Sequence, residues 1–245
     1  MSVNTLVKDG ILTNINEEVA MIPVDVPGDE HKNPGFCRDP EGNFWISIRV
    51  CEITPARNEG YEHPNHYQNF LYLGKLDEEK MTISELKEMK PEEEYYGLQW
   101  GIEDVRLFWR EEGLHGIGVS IPVEDGNYKI RQVEILLDHA KGTYKLLKDH
   151  GRPMGHMEKN WSPSEHPNPY FDFIYSPTQI VKNGEVIGEY NDLFIHNGSQ
   201  LVEFEDGYIS IAHTIPNIHG LRTYASLALK FDKYGKVIAH SQFFH

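Results

Sequence analysis

Apolar and polar residues alternate in four short stretches of the chain. They are FWISIRV from Phe44, LHGIGVS from Leu114, YFDFIYS from Tyr170 and YISIAHT from Tyr208. In the first stretch the even-numbered positions are all apolar, and the odd-numbered positions carry Trp45, Ser47 and Arg49. A period of two is the period of a β-strand that buries one face. The pattern therefore predicts four β-strands.

Each of these strands follows a polar opening and a turn-rich segment. The openings are Asn33-Pro34, Glu103-Asp104, Asn160-Trp161 and Gly198-Ser199, which lie 11, 11, 10 and 10 residues before the strand. A short strand lies between each opening and its turn, and it is predicted to pair antiparallel with the alternating strand that follows. Further strand-like segments follow each of these hairpins, such as NFLYLGKLD in the first repeat and KIRQVEILLD in the second. Four repeats of four strands predict an all-β protein, a β-propeller.

Two parts of the chain fit the repeat less directly. The segment from Met81 to Lys90 predicts either an outer strand or a short helix. Residues 1–32 contain two strand-like segments, LVKDGILTNI and EVAMIPV, which predict an abbreviated fifth blade. An open ring, or a ring that a partner completes, is the alternative. Residues 1–245 are expected to form a single β-propeller domain of the five-bladed type.

Composition and charge narrow the classes of partner. The chain has 39% apolar and 25% charged residues, as globular proteins do. Its formal net charge is −15 at pH 7, whereas nucleic acids and anionic membranes bind basic surfaces, so neither is expected as a partner. A small-molecule carbohydrate is compatible with this charge, and a homo-oligomer is left open. Because the N-terminal residues lack the pattern of a signal peptide, a cytoplasmic location is expected.

The openings of the repeats resemble motifs of a known family. Gly101-Ile102-Glu103-Asp104-Val105-Arg106 resembles the Gly-x-Glu-Asp-Pro-Arg signature of the five-bladed propeller glycosidases and glycoside phosphorylases, closest to glycoside hydrolase family 130. Asn33-Pro34 resembles their first-blade Asn-Pro, and segments 158–163 and 197–200 are similar to the later blade openings. Val105 replaces the usual proline. The resemblance, over about residues 33 to 245, implies an enzyme that cleaves glycosidic bonds by hydrolysis or phosphorolysis.

The resemblance also implies which residues are catalytic. Asp104 would be the general acid, in phosphorolysis through a substrate hydroxyl, and Glu158 is the candidate second carboxylate, as a base or to position water. A structural or sugar-binding Asp104 and a salt-bridging Glu158 are the alternatives. On a regular strand Asp104 shares a face with Arg106, which would lower the pKa of Asp104. Alternation also predicts that Glu103 points away from Asp104.

Polar residues near the openings are candidates for substrate binding around one mouth of the channel. They are Asn33, Arg49, Glu103, Arg106, Lys159, Asn160, Trp161, Tyr175, Asn197, Ser199 and His213. Arg49, Lys159 and His213 suggest a pocket for inorganic phosphate as co-substrate, or else ordinary channel-lining polar groups. Trp161 and Tyr175 are candidates for stacking on a sugar ring or for core packing.

No cofactor and no metal site are expected. His63 and His66 have metal-like spacing, but Pro64 disfavours the helix that would align them. Cys37 and Cys51 are expected to be buried apolar side chains. Two further classes of function stay open, a non-catalytic sugar- or metabolite-binding propeller and an interaction module, because a fold alone does not define a function.

Overall fold

The structure, a computed structural model, forms two compact units. The central unit is Ile22–Lys159, and the terminal unit combines Met1–Met21 with Asn160–His245. The structure describes residues 5–8, 11–14, 26, 28, 30–55, 65–124, 127–151, 160–175, 179–183, 185–189, 195–214, 217–218, 221–222 and 225–242.

The N-terminal residues of the terminal unit form a hairpin. β1 (Thr5–Lys8) and β2 (Ile11–Asn14) pair antiparallel in a two-stranded sheet. The sequence predicted a single strand over LVKDGILTNI, and that prediction is wrong. Its Asp-Gly pair is a strong signal for a tight hairpin between two strands. The other predicted strand, EVAMIPV, lies outside the described residues.

The central unit begins with a four-stranded antiparallel sheet, sheet 1. Its strands are β3 (Glu30–Arg38), β4 (Phe44–Pro55), β5 (Asn65–Asp77) and β6 (Thr82–Pro91), in that order. The segment that sequence left open between strand and helix is therefore a strand, β6. The alternation in β4 is confirmed, because Ile46, Ile48 and Val50 are buried in one apolar cluster. The Ser47 side chain points to β7 instead and hydrogen-bonds to Val105.

Sheet 2 completes the central unit. After a 3-10 turn at Tyr96–Leu98, its strands are β7 (Glu103–Arg110), β8 (Gly113–Ser120), β11 (Arg131–Asp138) and β12 (Thr143–Gly151), with a small hairpin of β9 (Val123–Glu124) and β10 (Asn127–Tyr128) between β8 and β11. β12 pairs in parallel with β6, at Thr143 opposite Lys90 and Tyr144 opposite Pro91. Sheets 1 and 2 thus form one continuous sheet of eight strands.

The core of the central unit lies between sheets 1 and 2. Leu71 and Leu73 from sheet 1 pack in one buried cluster with Leu107 and Ile135 from sheet 2. Each such side chain stabilises the fold by about 1.5–3 kcal/mol through removal from water. At Gly35 a Cβ atom would lie 2.4 Å from the carbonyl oxygen of Val105. Glycine at this position therefore allows β3 and β7 to approach closely.

The terminal unit contains two further sheets. Sheet 3 comprises β13 (Ser162–Pro163), β14 (Phe173–Tyr175), β15 (Gln179–Lys182) and β16 (Glu185–Glu189). Sheet 4 comprises β17 (His196–Asn197), β18 (Val202–Phe204), β19 (Gly207–Thr214), β22 (Ala225–Asp232) and β23 (Val237–His240), with a small hairpin of β20 (Asn217–Ile218) and β21 (Leu221–Arg222) between β19 and β22. Both β17 and β18 pair with β19, so they form one interrupted innermost strand. The core of the terminal unit contains a buried apolar cluster that includes Phe171, Ile174, Leu229 and Phe231.

The predicted pairing of strands is confirmed in all four sheets. β4, β8, β14 and β19 each pair antiparallel with the strand before them. β14 is shorter than predicted, because Tyr170 lies in a turn that the Asn168 side chain caps at 2.7 Å. Within the described ranges, no helix has the length and apolar character needed to cross a membrane.

Candidate functional site

Two openings share an irregular backbone. Asn33 and Asp104 adopt left-handed conformations, with φ of 46° and 52°. At each of them the innermost strand shifts register against its neighbour, as at a β-bulge. Asn and Asp tolerate this conformation better than other residues with a side chain. Asp104, and not Glu103, is therefore the structural equivalent of Asn33, which moves the predicted alignment of the second repeat by one residue. In the terminal unit Asn160 has φ of 70°.

The bulge brings two adjacent carboxylates to one guanidinium. Arg49 on β4 donates from Nη2 to Glu103 Oε1 and from Nη1 to Asp104 Oδ1, both at 2.8 Å. The prediction that Glu103 and Asp104 point to opposite faces is wrong. The left-handed residue and the inserted position break the alternation of a regular strand. Their side chains, like that of Arg49, are only 12–13% exposed.

Two amide side chains complete the cluster. Asn33 Nδ2 donates to Asp104 Oδ1 at 2.7 Å, so the first two openings are in direct contact. The Asn69 amide accepts from Arg49 Nε at 2.8 Å and donates to Glu103 Oε1 at 3.2 Å. Sequence reasoning missed Asn69. A polar residue on the face of β5 that carries Leu71 and Leu73 is the signal that could have revealed it.

The charges in this cluster are balanced by contact. Burial opposes the positive charge of Arg49, but Asp104 and Glu103 outweigh this effect and raise the pKa of the guanidinium. Asp104 is hydrogen-bonded to Arg49, a partner that the sequence analysis did not name. The bulge moves Arg106 out of the predicted register, and it is 8% exposed. Burial lowers the pKa of Arg106 to about 10, and the negative charge of Asp104 opposes that shift.

Gly101 explains the first residue of the motif that carries the resemblance. It has φ of +79°, and a Cβ atom there would lie 2.0 Å from the carbonyl oxygen of Asn69. The backbone before β7 thus passes directly against β5. Asn69 holds the same segment by donating to the carbonyl of Trp100 at 3.0 Å. Glycine at this position allows the chain to deliver Glu103 and Asp104 to Arg49.

Two candidate residues of the terminal unit contact other residues of the same unit. Trp161 is 1% exposed and packs near Phe173 and Tyr175, with ring centroids 5.5 and 6.4 Å away, so it belongs to the core. Asn197 is fully buried and donates to the carbonyl of Ile174 at 2.6 Å. This hydrogen bond of Asn197 is therefore structural.

Ser199 and His213 lie near the innermost strand of sheet 4. Ser199 accepts from the Ile211 amide at 3.0 Å, and its carbonyl accepts from the Ser162 hydroxyl at 2.6 Å. The His213 ring lies 5.7 Å from that of His196. These contacts join the openings of sheets 3 and 4. The convergence of Asn33, Asp104, Asn160 and Ser199 on one mouth stays a prediction.

Some predicted residues lie outside the described part of the chain. They include Glu158, Lys159, His63 and Pro64. Cys37 and Cys51 are buried and not in a disulfide, as predicted. Among the described residues no group of three or more His, Cys, Asp or Glu side chains could hold a metal ion.

Solved structures with a similar fold identify the architecture. A glycoside hydrolase-like protein from Parabacteroides distasonis matches with a TM-score of 0.54 and 10% identity, over 86% of this chain and 72% of that one. A β-1,2-mannobiose phosphorylase from Listeria innocua, bound to β-1,2-mannobiose, matches with a TM-score of 0.53 and 10% identity, over 90% and 79%. The chain has the fold of the β-propeller glycosidases and phosphorylases. The fold class predicted from sequence is confirmed, and sheets 1 to 4 are its blades.

A third neighbour is a glycosyl hydrolase from Bacteroides ovatus, with a TM-score of 0.51 and 10% identity, over 86% of this chain and 70% of that one. At this identity the likeness concerns the fold alone. No protein-family model matches the chain, and no curated protein has a matching sequence.

The cluster combines three kinds of hydrogen-bonding group. Carboxylate, guanidinium and amide groups at the opening of blade 2 form charge-assisted hydrogen bonds, which are stronger than neutral ones. The same groups are suited to binding vicinal hydroxyls. Asn33 is exposed, and the side chains of Arg49, Glu103 and Asp104 keep 12–13% exposure to solvent.

Proposed function

We propose that the protein cleaves glycosidic bonds, by hydrolysis or phosphorolysis, at the cluster around Asp104. The observation that carries the proposal is the pair of carboxylates, Glu103 and Asp104, held by Arg49 at the opening of blade 2. Glycoside cleavage uses carboxyl groups that protonate the leaving oxygen and assist attack on the sugar. The glycosidase-type fold supports placing this chemistry there.

In the proposed reaction Asp104 acts on a sugar hydroxyl. Its Oδ1 accepts hydrogen bonds from Arg49 and Asn33, which favour the ionised carboxylate. Asp104 therefore first accepts a hydrogen bond from a hydroxyl of the substrate and so orients that hydroxyl. To act as the general acid it must gain a proton, which then reaches the glycosidic oxygen through that hydroxyl. Glu158 remains the candidate for the second carboxylate.

The cluster gives Arg49 a role in sugar binding more than in phosphate binding. Its Nε, Nη1 and Nη2 donate to Asn69, Asp104 and Glu103 respectively. Because these nitrogens already donate within the cluster, Arg49 has little capacity left to bind a phosphate anion. Phosphate would then depend on Lys159 and His213. Assays with and without inorganic phosphate separate hydrolysis from phosphorolysis.

A second candidate function is sugar binding without cleavage. The two hydrogen bonds at Asp104 Oδ1 favour it, because a carboxylate held ionised is a better acceptor for hydroxyls than a proton donor. In this case the same cluster would recognise a saccharide and leave its bonds intact.

The substitution Asp104→Asn separates these functions. It keeps the size of the side chain and removes the acid, so an enzyme that uses Asp104 should lose turnover by a factor of about 10² to 10⁴. The affinity for saccharide should change much less, because the amide still contacts a hydroxyl. Turnover is measured on a panel of glycosides that includes β-1,2-mannobiose, and affinity by calorimetry.

A matched control is Asp138→Asn at the last residue of β11, at the other end of the same blade. It should leave turnover unchanged. If the wild type shows no turnover on any glycoside but binds one of them, the binding function replaces the enzymatic one. If Asp104→Asn lowers the melting temperature and keeps turnover, Asp104 is a structural ion-pair partner of Arg49.

A further inference from the structure

Two tyrosines are exposed side by side in the terminal unit. Tyr170 lies in the turn between β13 and β14, and Tyr234 lies in the turn between β22 and β23. Tyr170 is 40% exposed and Tyr234 is 49% exposed, and both are among the large exposed hydrophobic residues in the described part of the chain. The ring centroids are 4.6 Å apart, with an angle of 64° between the planes. We call them the tyrosine pair.

The tyrosine pair lies at the end of blades 3 and 4 that is remote from their openings. Asn160 precedes β13, whereas Tyr170 follows it and precedes β14, which returns along β13. In blade 4 Ser199 contacts Ile211, while the turn of Tyr234 follows the end of β22 that pairs with Gly207. The tyrosine pair is therefore separate from the polar openings of these blades.

Hydrogen bonds fix the two turns to each other. The Asn168 side chain accepts from the Tyr170 amide at 2.7 Å and donates to the carbonyl of Lys233 at 3.3 Å and to the hydroxyl of Tyr208 at 2.6 Å. Asp232 caps the second turn by accepting from the Tyr234 amide at 2.9 Å. The backbone of both turns is thus held in position before any ligand binds, which reduces the ordering cost of binding.

Polar and charged groups surround the rings. The Lys233 ammonium lies 5.1 Å from the centroid of Tyr234, and the Lys182 ammonium hydrogen-bonds to the carbonyl of Pro169 beside Tyr170. An aromatic face next to hydrogen-bonding groups matches a hexose, which has an apolar C–H face and a rim of hydroxyls.

We propose that the tyrosine pair is a second carbohydrate-binding site, which holds a neutral hexose unit of a polysaccharide at the end of blades 3 and 4 that is remote from their openings. The aromatic rings contact the apolar face of the sugar, and Lys233 and the hydroxyls of the tyrosines contact its hydroxyl groups. The choice of a carbohydrate as the ligand rests on the proposed function. The site would keep a long substrate attached to the protein between cleavage events.

The test is native electrophoresis in gels that contain a soluble β-glucan, a mannan or a xylan. At least one polysaccharide should slow the wild-type protein. Tyr170→Ala and Tyr234→Ala should each raise the apparent Kd about tenfold, the equivalent of about 1.4 kcal/mol. Tyr234→Phe should keep most of the affinity, because it retains the ring. The matched control is Phe204→Ala, which removes an aromatic ring that is 39% exposed on β18 of the same unit and should change nothing.

Three outcomes would overturn the inference. One is a wild type that no polysaccharide slows, and another is unchanged retardation of both alanine variants with melting temperatures equal to that of the wild type. The third is a wild-type dimer, seen by sedimentation velocity, that the alanine variants lose, because the pair would then dock a second copy. If glycoside turnover is absent and retardation persists, only the proposed function fails.

Discussion

Asp104 occupies a backbone conformation that few side chains tolerate, and its contacts with Arg49 and Asn33 depend on it. The sequence motif pointed to Glu103 and Asp104, which are the two carboxylates of this cluster. Their geometry could not be predicted, since strict alternation of a strand places neighbouring residues on opposite faces. Both carboxylates reach Arg49 because of the bulge, and the bulge is visible only in the register of β7 against β8.

Asn69 fixes the orientation of this cluster, and its substitution tests that role. Asn69→Asp keeps the shape but replaces the donating NH2 group by an oxygen that faces Glu103 Oε1 and the Trp100 carbonyl. Leaving such buried groups unsatisfied costs about 1–3 kcal/mol. We expect a lower free energy of unfolding in urea and weaker saccharide binding than in the wild type.

The double variant Asn69→Asp with Glu103→Gln provides the control. It removes one negative charge and restores a donor opposite the new carboxylate, so part of the lost stability should return. If the double variant is no more stable than Asn69→Asp alone, Asn69 acts mainly through Trp100 and not through Glu103.

At the scale of strands, local patterns predicted pairing well. Alternation and turn residues identified both hairpin partners in every blade, because they depend on neighbours close in the chain. The small hairpins β9–β10 and β20–β21 were not predicted, since strands of two residues are too short to show a period. Contacts across several strands were also missed, among them a buried group of two histidines and a carboxylate in blade 2.

Glu134 links three strands of blade 2 and should make its stability depend on pH. Nδ1 of His115 and Nε2 of His150 lie 3.0 and 3.3 Å from its two carboxylate oxygens. Burial opposes ionisation, but the hydrogen bonds and charges of the histidines outweigh it and lower the pKa of Glu134 from 4.5 to about 2. A lowered pKa stabilises the fold above pH 4.5, by about 3 kcal/mol, and this contribution is lost as the pH falls towards 2.

The substitution Glu134→Gln should therefore lower the free energy of unfolding at pH 6 and have a smaller effect at pH 3. Urea titrations at pH 6, 4.5, 3.5 and 3 measure the difference from the wild type. Glu112→Gln is the control, because Glu112 lies 3.7 Å from His115 but its side chain is 70% exposed. A difference for Glu134→Gln that stays constant with pH would contradict the proposed ionisation.

At the scale of the whole molecule, the fourfold repetition of openings and strands was sufficient to predict the propeller. The repeat survives in the four sheets although no family model recognises the sequence. Strand periodicity and turn spacing are constraints of the fold, so they persist at 10% identity to the neighbours. The exposed tyrosine pair could not be predicted in the same way. Tyr170 and Tyr234 are 64 positions apart (234 minus 170) and meet only because two turns lie side by side.

The net charge of −15 should make the stability of the whole molecule depend on salt. At low ionic strength the carboxylates on the surface repel one another, and this repulsion destabilises the compact state. Because the Debye length falls from about 30 Å at 0.01 M to about 8 Å at 0.15 M salt, added NaCl should screen this repulsion. At pH 7 the melting temperature should rise over this range by about 2–4 °C, equivalent to roughly 1 kcal/mol for a chain of this size. Near the isoelectric point, about 5.3, the same addition should have no stabilising effect. A melting temperature that falls with salt at pH 7 would show that ion pairs such as Arg49 with Asp104 outweigh the repulsion.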